Sequence, residues 1–354
     1  LRALGPERVR GIYVDTGLMR EGETEFVRSI FSQTPEVLRI EQAGRRFLAA
    51  LEGVVDPEQK RRIIGEEFVS VQERILESQH FLEGDWILGQ GTIYPDTIES
   101  GGTAKAAVIK THHNRVPGIL RLLEAGRVVE PLTCFYKDEV REVGRELGLP
   151  EELLERHPFP GPGLAIRCLC AEREAPVRRQ GQNWLLPLRS VGVQGDARSY
   201  APVVALERGA LEAEDLHGEA TRLINRDHSV NRVVALVGSH AALAELRARP
   251  AFLSEERLGR LRRADALVRR LSVAAGYDRR VWQFPVILAP LGTAGRPDSV
   301  VLRPVESVDG MTAGSAAMPP DLLARMSSEL LEQEGIAAVF YDLTHKPPAT
   351  IEWE

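Results

Sequence analysis

The densest chemistry in the chain lies between residues 89 and 163. Gly89-Gln90-Gly91-Thr92 offers backbone N–H groups that no side chain shields, so an anion can approach them closely. Asp96 and Glu99 follow three residues apart. Two carboxylates beside a phosphate cradle point to magnesium, although that spacing on a helix also describes a solvated face. Gly101-Gly102-Thr103 reads as a hinge before Lys105 and the donor run Lys110-Thr111-His112-His113-Asn114. The run is either a polar surface loop or a lid that brings cationic and neutral donors onto a polyphosphate. Adjacent histidines in a strand would face opposite ways, which argues against a shared metal. Phe135 to Arg141 opens a helix running to Leu147, with Gly148 and Pro150 as stop signals, and Lys137, Asp138 and Glu139 are candidate dipole partners in its first turn. His157-Pro158-Phe159-Pro160-Gly161-Pro162-Gly163 excludes both helix interior and central strand and reads as a rigid strap.

These groups need elements to hold them. The 354 residues are 43% hydrophobic and 27% charged, enough for two or three domains with real cores. No run approaches a membrane span, and no leader pattern opens the chain. Cytoplasmic residence is the expectation. Three cysteines, Cys134, Cys168 and Cys170, make neither a disulfide framework nor a zinc site and read as reduced, mostly buried thiols. Lys+Arg 45 against Asp+Glu 51 gives net −6, so the chain lacks the basic footprint of a nucleic-acid binder, and any anionic ligand needs a local site. Val9 to Asp15 reads as a strand, Arg20 to Phe31 as a helix, Glu36 to Ile40 as a second strand followed by a helix through Leu51. Asp56-Pro57 caps a further helix running toward Ile75, and Trp86 to Gly89 is another strand. Alternation of this kind gives a mostly parallel sheet with helices on both faces, with ligands at the carboxyl ends of its strands.

Six strings stand in order along the chain: Val14-Asp15-Thr16-Gly17-Leu18-Met19-Arg20, Lys60-Arg61-Arg62-Ile63-Ile64-Gly65, Gly89 to Ser100, Ile109 to Asn114, His157 to Gly163, and Lys346-Pro347-Pro348-Ala349-Thr350-Ile351-Glu352-Trp353-Glu354. Together they resemble the GMP synthase family, from residue 9 to the last residue. The resemblance implies an α/β fold: a Rossmann-like, parallel-sheet ATP-pyrophosphatase domain of the adenine nucleotide alpha-hydrolase type, then duplicated α+β dimerisation units. It implies a ligase that aminates XMP to GMP through an adenylyl-XMP intermediate, using ATP and Mg2+ and releasing AMP and pyrophosphate. By the same resemblance, Asp96 and Glu99 hold magnesium, and Lys110, His112 and His113 close as a lid that Lys137, Asp138 and Glu139 support. Val14, Asp15 and Leu18 would contact adenosine, and Gly89, Gly91 and Thr92 the phosphates. XMP would meet Arg61, Asp196, Arg198, Gln283, Lys346 and Glu352; on sequence alone, Arg61 fits equally a solvated basic face.

Two features of that family are missing here. Its Ser-Gly-Gly-Val-Asp-Ser phosphate loop and its glutaminase domain occur nowhere in the chain, which begins at Leu1. The expectation is a longer polypeptide that carries the loop upstream, with the glutaminase on the same chain or a separate subunit supplying ammonia. The alternatives are an inactive or regulatory XMP-binding relative, and another ATP-pyrophosphatase that adenylates a tRNA base.

The expected domains are residues 1–170, the pyrophosphatase; 171–183, a linker; 184–285, a first α+β unit with an insertion; and 286–354, a second unit with a substrate-binding tail. The second half echoes itself. Pro202 to Leu206, a helix over about 211–225 and Asn231 to Leu236 repeat in order as Ser299 to Val305, a helix opened at Pro319-Pro320-Asp321, and Ile336 to Leu343. Between them a helix carries Leu258, Leu261, Ala264, Val268 and Leu271 on one side and arginines on the other, which reads as a solvated face. Both a homodimer and a monomer are compatible with a doubled unit.

Overall fold

The computed structural model describes residues 1–94, 117–194, 197–206, 215–227, 229–307 and 312–354, with the side chains at 194, 197 and 198 outside the description. The chain divides into two compact units, Leu1–Arg61 with Phe159–Glu354 and Arg62–Pro158. In the first unit β1 (Gly11–Asp15) and β2 (Leu38–Gln42) pair in parallel, joined by α1 (Glu23–Ile30) and followed by α2 (Gly44–Ala50). Pro35–Val37 winds into a 3-10 turn, which moves the second strand toward the C-terminus of its expected span. Asp56 caps α3 (Pro57–Ser78) as expected, its carboxylate accepting from the Gln59 amide at 2.7 Å.

The second unit takes most of α3, then β3 (Leu88–Gly89), α4 (Pro117–Glu124), β4 (Val128–Val129), α5 (Lys137–Glu146) and α6 (Glu151–Leu154). β3 and β4 are parallel, and Leu76, Ile119 and Leu122 form the core with Phe81 and Leu82. The strand expected over Trp86–Gly89 is shorter because Trp86 instead packs edge-on against Phe81, ring centroids 5.2 Å apart.

The rest of the first unit carries β5 (Ala175–Pro176), β6 (Arg178–Gln180), β7 (Asn183–Gln194), β8 (Ala197–Ala205), α7 (Leu216–Arg226), β9 (Arg232–Ser239), β10 (Arg247–Ala248), α8 (Glu255–Ala274), β11 (Val286–Ala289), β12 (Leu291–Gly292), β13 (Asp298–Leu302), β14 (Val305–Glu306), β15 (Gly314–Ser315), α9 (Pro320–Leu331) and β16 (Ile336–Asp342). Seven of these strands make one sheet in the order β11-β13-β16-β9-β8-β7-β6. The sequence echo is visible in it. β8 pairs in parallel with β9 across α7, β13 pairs in parallel with β16 across α9, and β9 and β16 meet antiparallel at the centre. β7 and β11 flank the two halves antiparallel. Val203, Val234, Ile287, Val301 and Phe340 fill its core together with Trp353. Residues 171–183 are not wholly irregular, since β5 and β6 lie within them and pair with β10 and β7.

The strap closes against the loop after β1. Gly163 has φ +64°, its Cβ would lie 2.4 Å from the Leu18 carbonyl oxygen, and that oxygen accepts from the Leu164 amide at 2.7 Å. Gly163→Ala is expected to cost the left-handed strain of about 1–2 kcal/mol and a steric clash besides. Gly181→Ala, at φ +60° with open space around it, meets only the strain. Urea midpoints should fall further for the first, and equal shifts would show that the contact with Leu18 yields without cost.

Candidate active site

The C-terminal stretch is where the site is most completely built. Asp342, the last residue of β16, is fully buried. Its Oδ2 accepts from Arg232 Nη1 at 2.7 Å, pairs with Arg303 Nη1 at 2.9 Å and accepts from Trp353 Nε1 at 2.8 Å, and its Oδ1 accepts from the Thr344 amide at 2.9 Å. The Arg232 guanidinium also lies 5.0 Å from the Trp353 ring centroid. Further along, Glu352 accepts two bonds from the buried Arg167, Nε at 2.9 Å and Nη2 at 2.7 Å. This is the planar fork-on-carboxylate geometry that arginine favours. Glu354 receives Lys60 Nζ at 2.5 Å, and its main-chain oxygen receives Arg61. Lys60 also donates to the carbonyl of Cys168 at 3.1 Å. Burial works against the charge of Lys60, but Glu354 holds its ammonium above the ordinary range.

Of the residues assigned to XMP, Arg61 and Glu352 are thus both engaged by this stretch and its seat. Lys346 is held through its backbone, its amide donating to Ala313 O at 2.7 Å, and the buried Gln283 pairs with Val305, whose amide donates to Gln283 O at 2.9 Å. Asp196 lies outside the described residues, as does the side chain of Arg198. A residue not anticipated here is Tyr200, whose hydroxyl donates to Glu58 at 2.9 Å, one turn before Arg61.

At the carboxyl end of β1, the Asp15 oxygens serve the loop and the start of α1: Oδ1 accepts from the Gly17 amide at 3.0 Å and Oδ2 from Thr24 Oγ1 at 2.9 Å. The Leu18 side chain is buried. Arg20 and Arg167 both lie over the Phe159 ring of the strap, at 4.4 and 5.4 Å. Burial, offset by Asp265, pushes Arg20 down to about 10.

In the second unit the Gly89–Thr92 loop runs past β4. Gln90 donates its amide to Val129 at 3.0 Å, Thr92 Oγ1 donates to Glu130 at 2.5 Å, and a Cβ at Gly89 or Gly91 would meet nothing. Tyr136 stands at the N-cap of α5 without a side-chain cap bond, and Glu139 accepts from its amide at 2.7 Å, so Glu139 holds the helix start. Asp138 lies in the same first turn, and burial with Arg141 nearby pushes Lys137 down. Asp96, Glu99, Lys110, His112 and His113 lie outside the described residues. Among the described residues no group of three or more His, Cys, Asp or Glu gathers as a metal site.

Two expectations are corrected. The arginines of α8 are only in part a solvated face: Arg263 and Arg270 are exposed, whereas others turn inward. Arg257 and Arg260 are buried on Asp298, with contacts of 2.8 and 2.5 Å, and Arg262 reaches the carbonyls of Gly17 and Met19. Carbonyls and a carboxylate from distant parts of the chain attract that face, which helical periodicity alone cannot register. Cys134 is exposed rather than buried, whereas Cys168 is buried and its thiol pushed up to about 11 by that burial. Sequence reasoning also missed Lys60, Arg167, Arg232, Arg303 and Asp342. The available signal was a single charge bordering an apolar strand, as in Arg232-Val233-Val234-Ala235-Leu236 and Val300-Val301-Leu302-Arg303.

Comparison with known proteins gives a consistent result. The family model of the GMP synthase C-terminal domain matches residues 271–353. A probable glutamine-hydrolysing GMP synthase of Leptospira interrogans is 41% identical over 366 residues, covering 100% of this chain and 61% of the relative. The GMP synthase of Thermomicrobium roseum is 38% identical, covering 100% of this chain and 53% of its own length, and a probable GMP synthase of Caenorhabditis elegans is 32% identical, covering 100% and 61%. The chain therefore spans between about half and three fifths of these relatives.

The Asp342 cluster generates a pH prediction. Burial works against its carboxylate, but Arg303 and Arg232 outweigh that and hold its pKa below the ordinary range. A carboxyl depressed in this way stabilises the fold fully above its unfolded value of about 4 and loses the contribution as pH falls through the folded value. Asp342→Asn should cost about 3–5 kcal/mol at neutral pH, because it strands two buried cations. Below about pH 4 its stability should also decline less steeply than the parent's. Urea titrations across pH measure both, and a variant as stable as the parent at pH 7 contradicts the assignment.

Proposed function

We infer that this chain, a member of the GMP synthase family by its end-to-end similarity to proteins of that name, is the synthetase part of an enzyme that aminates XMP to GMP at the expense of ATP. The observation carrying the reading is that similarity over 100% of the chain at up to 41% identity. The stretch over 344–354 adds to it, because it carries the last of the strings that resemble the family and is seated on buried charge. In the proposed reaction the O2 oxygen of XMP attacks the α-phosphorus of ATP, the bond to pyrophosphate breaks, and adenylyl-XMP forms. Ammonia, released from glutamine by the remaining part of the protein or a partner subunit, then attacks C2, and AMP leaves.

Such a step is governed by positioning and by neutralising phosphate charge. Gly89, Gly91 and Thr92 would present amides and a hydroxyl to the phosphates, with Val14, Asp15 and Leu18 around adenosine. Lys110, His112 and His113 would close over the polyphosphate and keep water from the activated ester, supported by Lys137, Asp138 and Glu139. Asp96 and Glu99, two hard oxygen donors, suit Mg2+, which would offset phosphate charge when bound. Arg61, Asp196, Arg198, Gln283, Lys346 and Glu352 would bind XMP. Residues 1–170 would form the pyrophosphatase domain, and 184–285 and 286–354, joined to it through 171–183, the duplicated units. Pairing of β9 with β16 makes within one chain an interface that single units would make between chains, so the assembly is a monomer or a homodimer. No helix among the described residues is long and apolar enough to cross a membrane; a cytoplasmic location belongs to the proposal through the family alone.

The full-length protein should form AMP and pyrophosphate from ATP only when XMP is present, and GMP when glutamine or ammonium is added. AMP formation dependent on tRNA instead of XMP, or XMP binding without turnover, would favour the tRNA-adenylating or regulatory alternative. Lys110→Ala should lower AMP formation by about 100-fold with XMP affinity little changed, as expected for a contact made in the transition state. Unchanged turnover would remove Lys110 from the lid.

A further inference from the structure

We propose that Arg303, together with Arg232, is a positioning residue of the XMP site, stapling the base of the loop that carries Lys346 and Glu352. The inference rests on the XMP reading above and names residues that act on that site without touching the ligand.

One guanidinium spans both legs of the loop. Arg303 donates from Nη1 to the Thr344 carbonyl at 3.0 Å, from Nη2 to Thr350 at 2.8 Å and from Nε to Ile351 at 2.9 Å. The loop between Thr344 and Thr350 contains Lys346, and Glu352 stands two residues beyond Thr350. Arg232 reinforces the second leg, donating from Nη2 to the Thr350 carbonyl at 2.9 Å and the Glu352 carbonyl at 2.6 Å. The carbonyls of 350, 351 and 352 are thus all taken by two side chains that are themselves 0% exposed.

Charge explains why the contact is obligatory. Two buried guanidiniums share one carboxylate, Asp342. The cluster carries a surplus positive charge, and a buried charge without compensation is costly. Burial and the neighbouring Arg303 accordingly push Arg232 down to about 9. The remaining compensation comes from the carbonyl dipoles of the loop and from the nearby Glu352 carboxylate, both carried by this stretch, so the stretch cannot lift away without leaving the cations short of partners. Lysine cannot replace this, because its single ammonium lacks the planar fork that reaches both legs at once.

The test uses the full-length protein with Arg303→Lys, Arg303→Met and, as a buried arginine elsewhere, Arg257→Lys, which loosens the grip on Asp298. Three quantities are measured: amide hydrogen exchange over 344–354, XMP affinity by calorimetry without ATP, and the KM for XMP against that for ATP. Arg303→Lys should speed exchange in 344–354 and weaken XMP about tenfold, with the KM for ATP within about twofold. Arg303→Met should weaken XMP further if it folds. Arg257→Lys should lower thermal stability without selective loss of XMP. Unchanged exchange in the Lys variant, or XMP and ATP affinities falling together, would overturn the staple. Failure of the parent protein to bind XMP would instead overturn the functional reading, and the exchange data would still decide whether Arg303 holds the loop.

Discussion

A single buried carboxylate, Asp342, is the constraint from which the ordered end of the chain follows. It stands between two guanidiniums and an indole N–H, with no water-exposed surface on any of the three charged groups. In such surroundings each partner is needed by the others, because removing one leaves an unpaired charge where solvent cannot reach it. Two cations against one anion also leave the balance incomplete, and the carbonyl row of residues 350–352 with the nearby Glu352 carboxylate supplies the remainder. The stretch over 344–354 has a fixed path because the interior beneath it is electrostatically unfinished without it.

The same logic extends outward in the first unit. Arg167 is fully buried, and Glu352 outweighs the penalty of that burial and holds the guanidinium firmly charged. Arg167 also leans on Phe159, which shares its ring with Arg20, and the strap containing Phe159 returns through Gly163 onto the Leu18 carbonyl. A continuous series of contacts therefore runs from the loop after β1, through the strap, to the C-terminal stretch. Residues proposed for two different nucleotides lie at its ends. Sites held by packed, hydrogen-bonded supports keep their geometry better than sites on unsupported loops, and this series is such a support.

How much of this was legible in the sequence depends on the range of the force involved. Strand-helix-strand order in 202–236 and 299–343 was readable, because Val203, Val234, Val301 and Phe340 announce buried strands by local composition alone. The Asp56-Pro57 helix start was readable for the same reason, since capping is local. The register that sets β9 against β16 was not, because antiparallel pairing between two such units leaves no mark within either. The α8 arginines were misread because a charged helical face looks alike whether it meets water or a buried Asp298. At the site, the C-terminal string was legible as a motif, yet its dependence on Arg232 and Arg303 was hidden by separations of 118 and 47 residues to Thr350.

Those separations carry one further consequence for the duplicated sheet. The final stretch draws its partners from both copies of the unit. From the first copy come Arg232 and the amides of Val191 and Val193, which donate to the carbonyls of Trp353 and Pro348, each at 2.8 Å. From the second come Arg303 and Asp342. Neither copy alone could seat the stretch, because each offers only part of the donors, Arg167, Lys60 and Arg61 adding the rest, and the charge balance at Asp342 would fail in both. The antiparallel pairing of β9 with β16 does more than extend a sheet: it brings Arg232 at the start of one strand beside Asp342 at the end of the other. The joining of the two copies and the ordering of the proposed XMP-binding stretch are therefore one structural event.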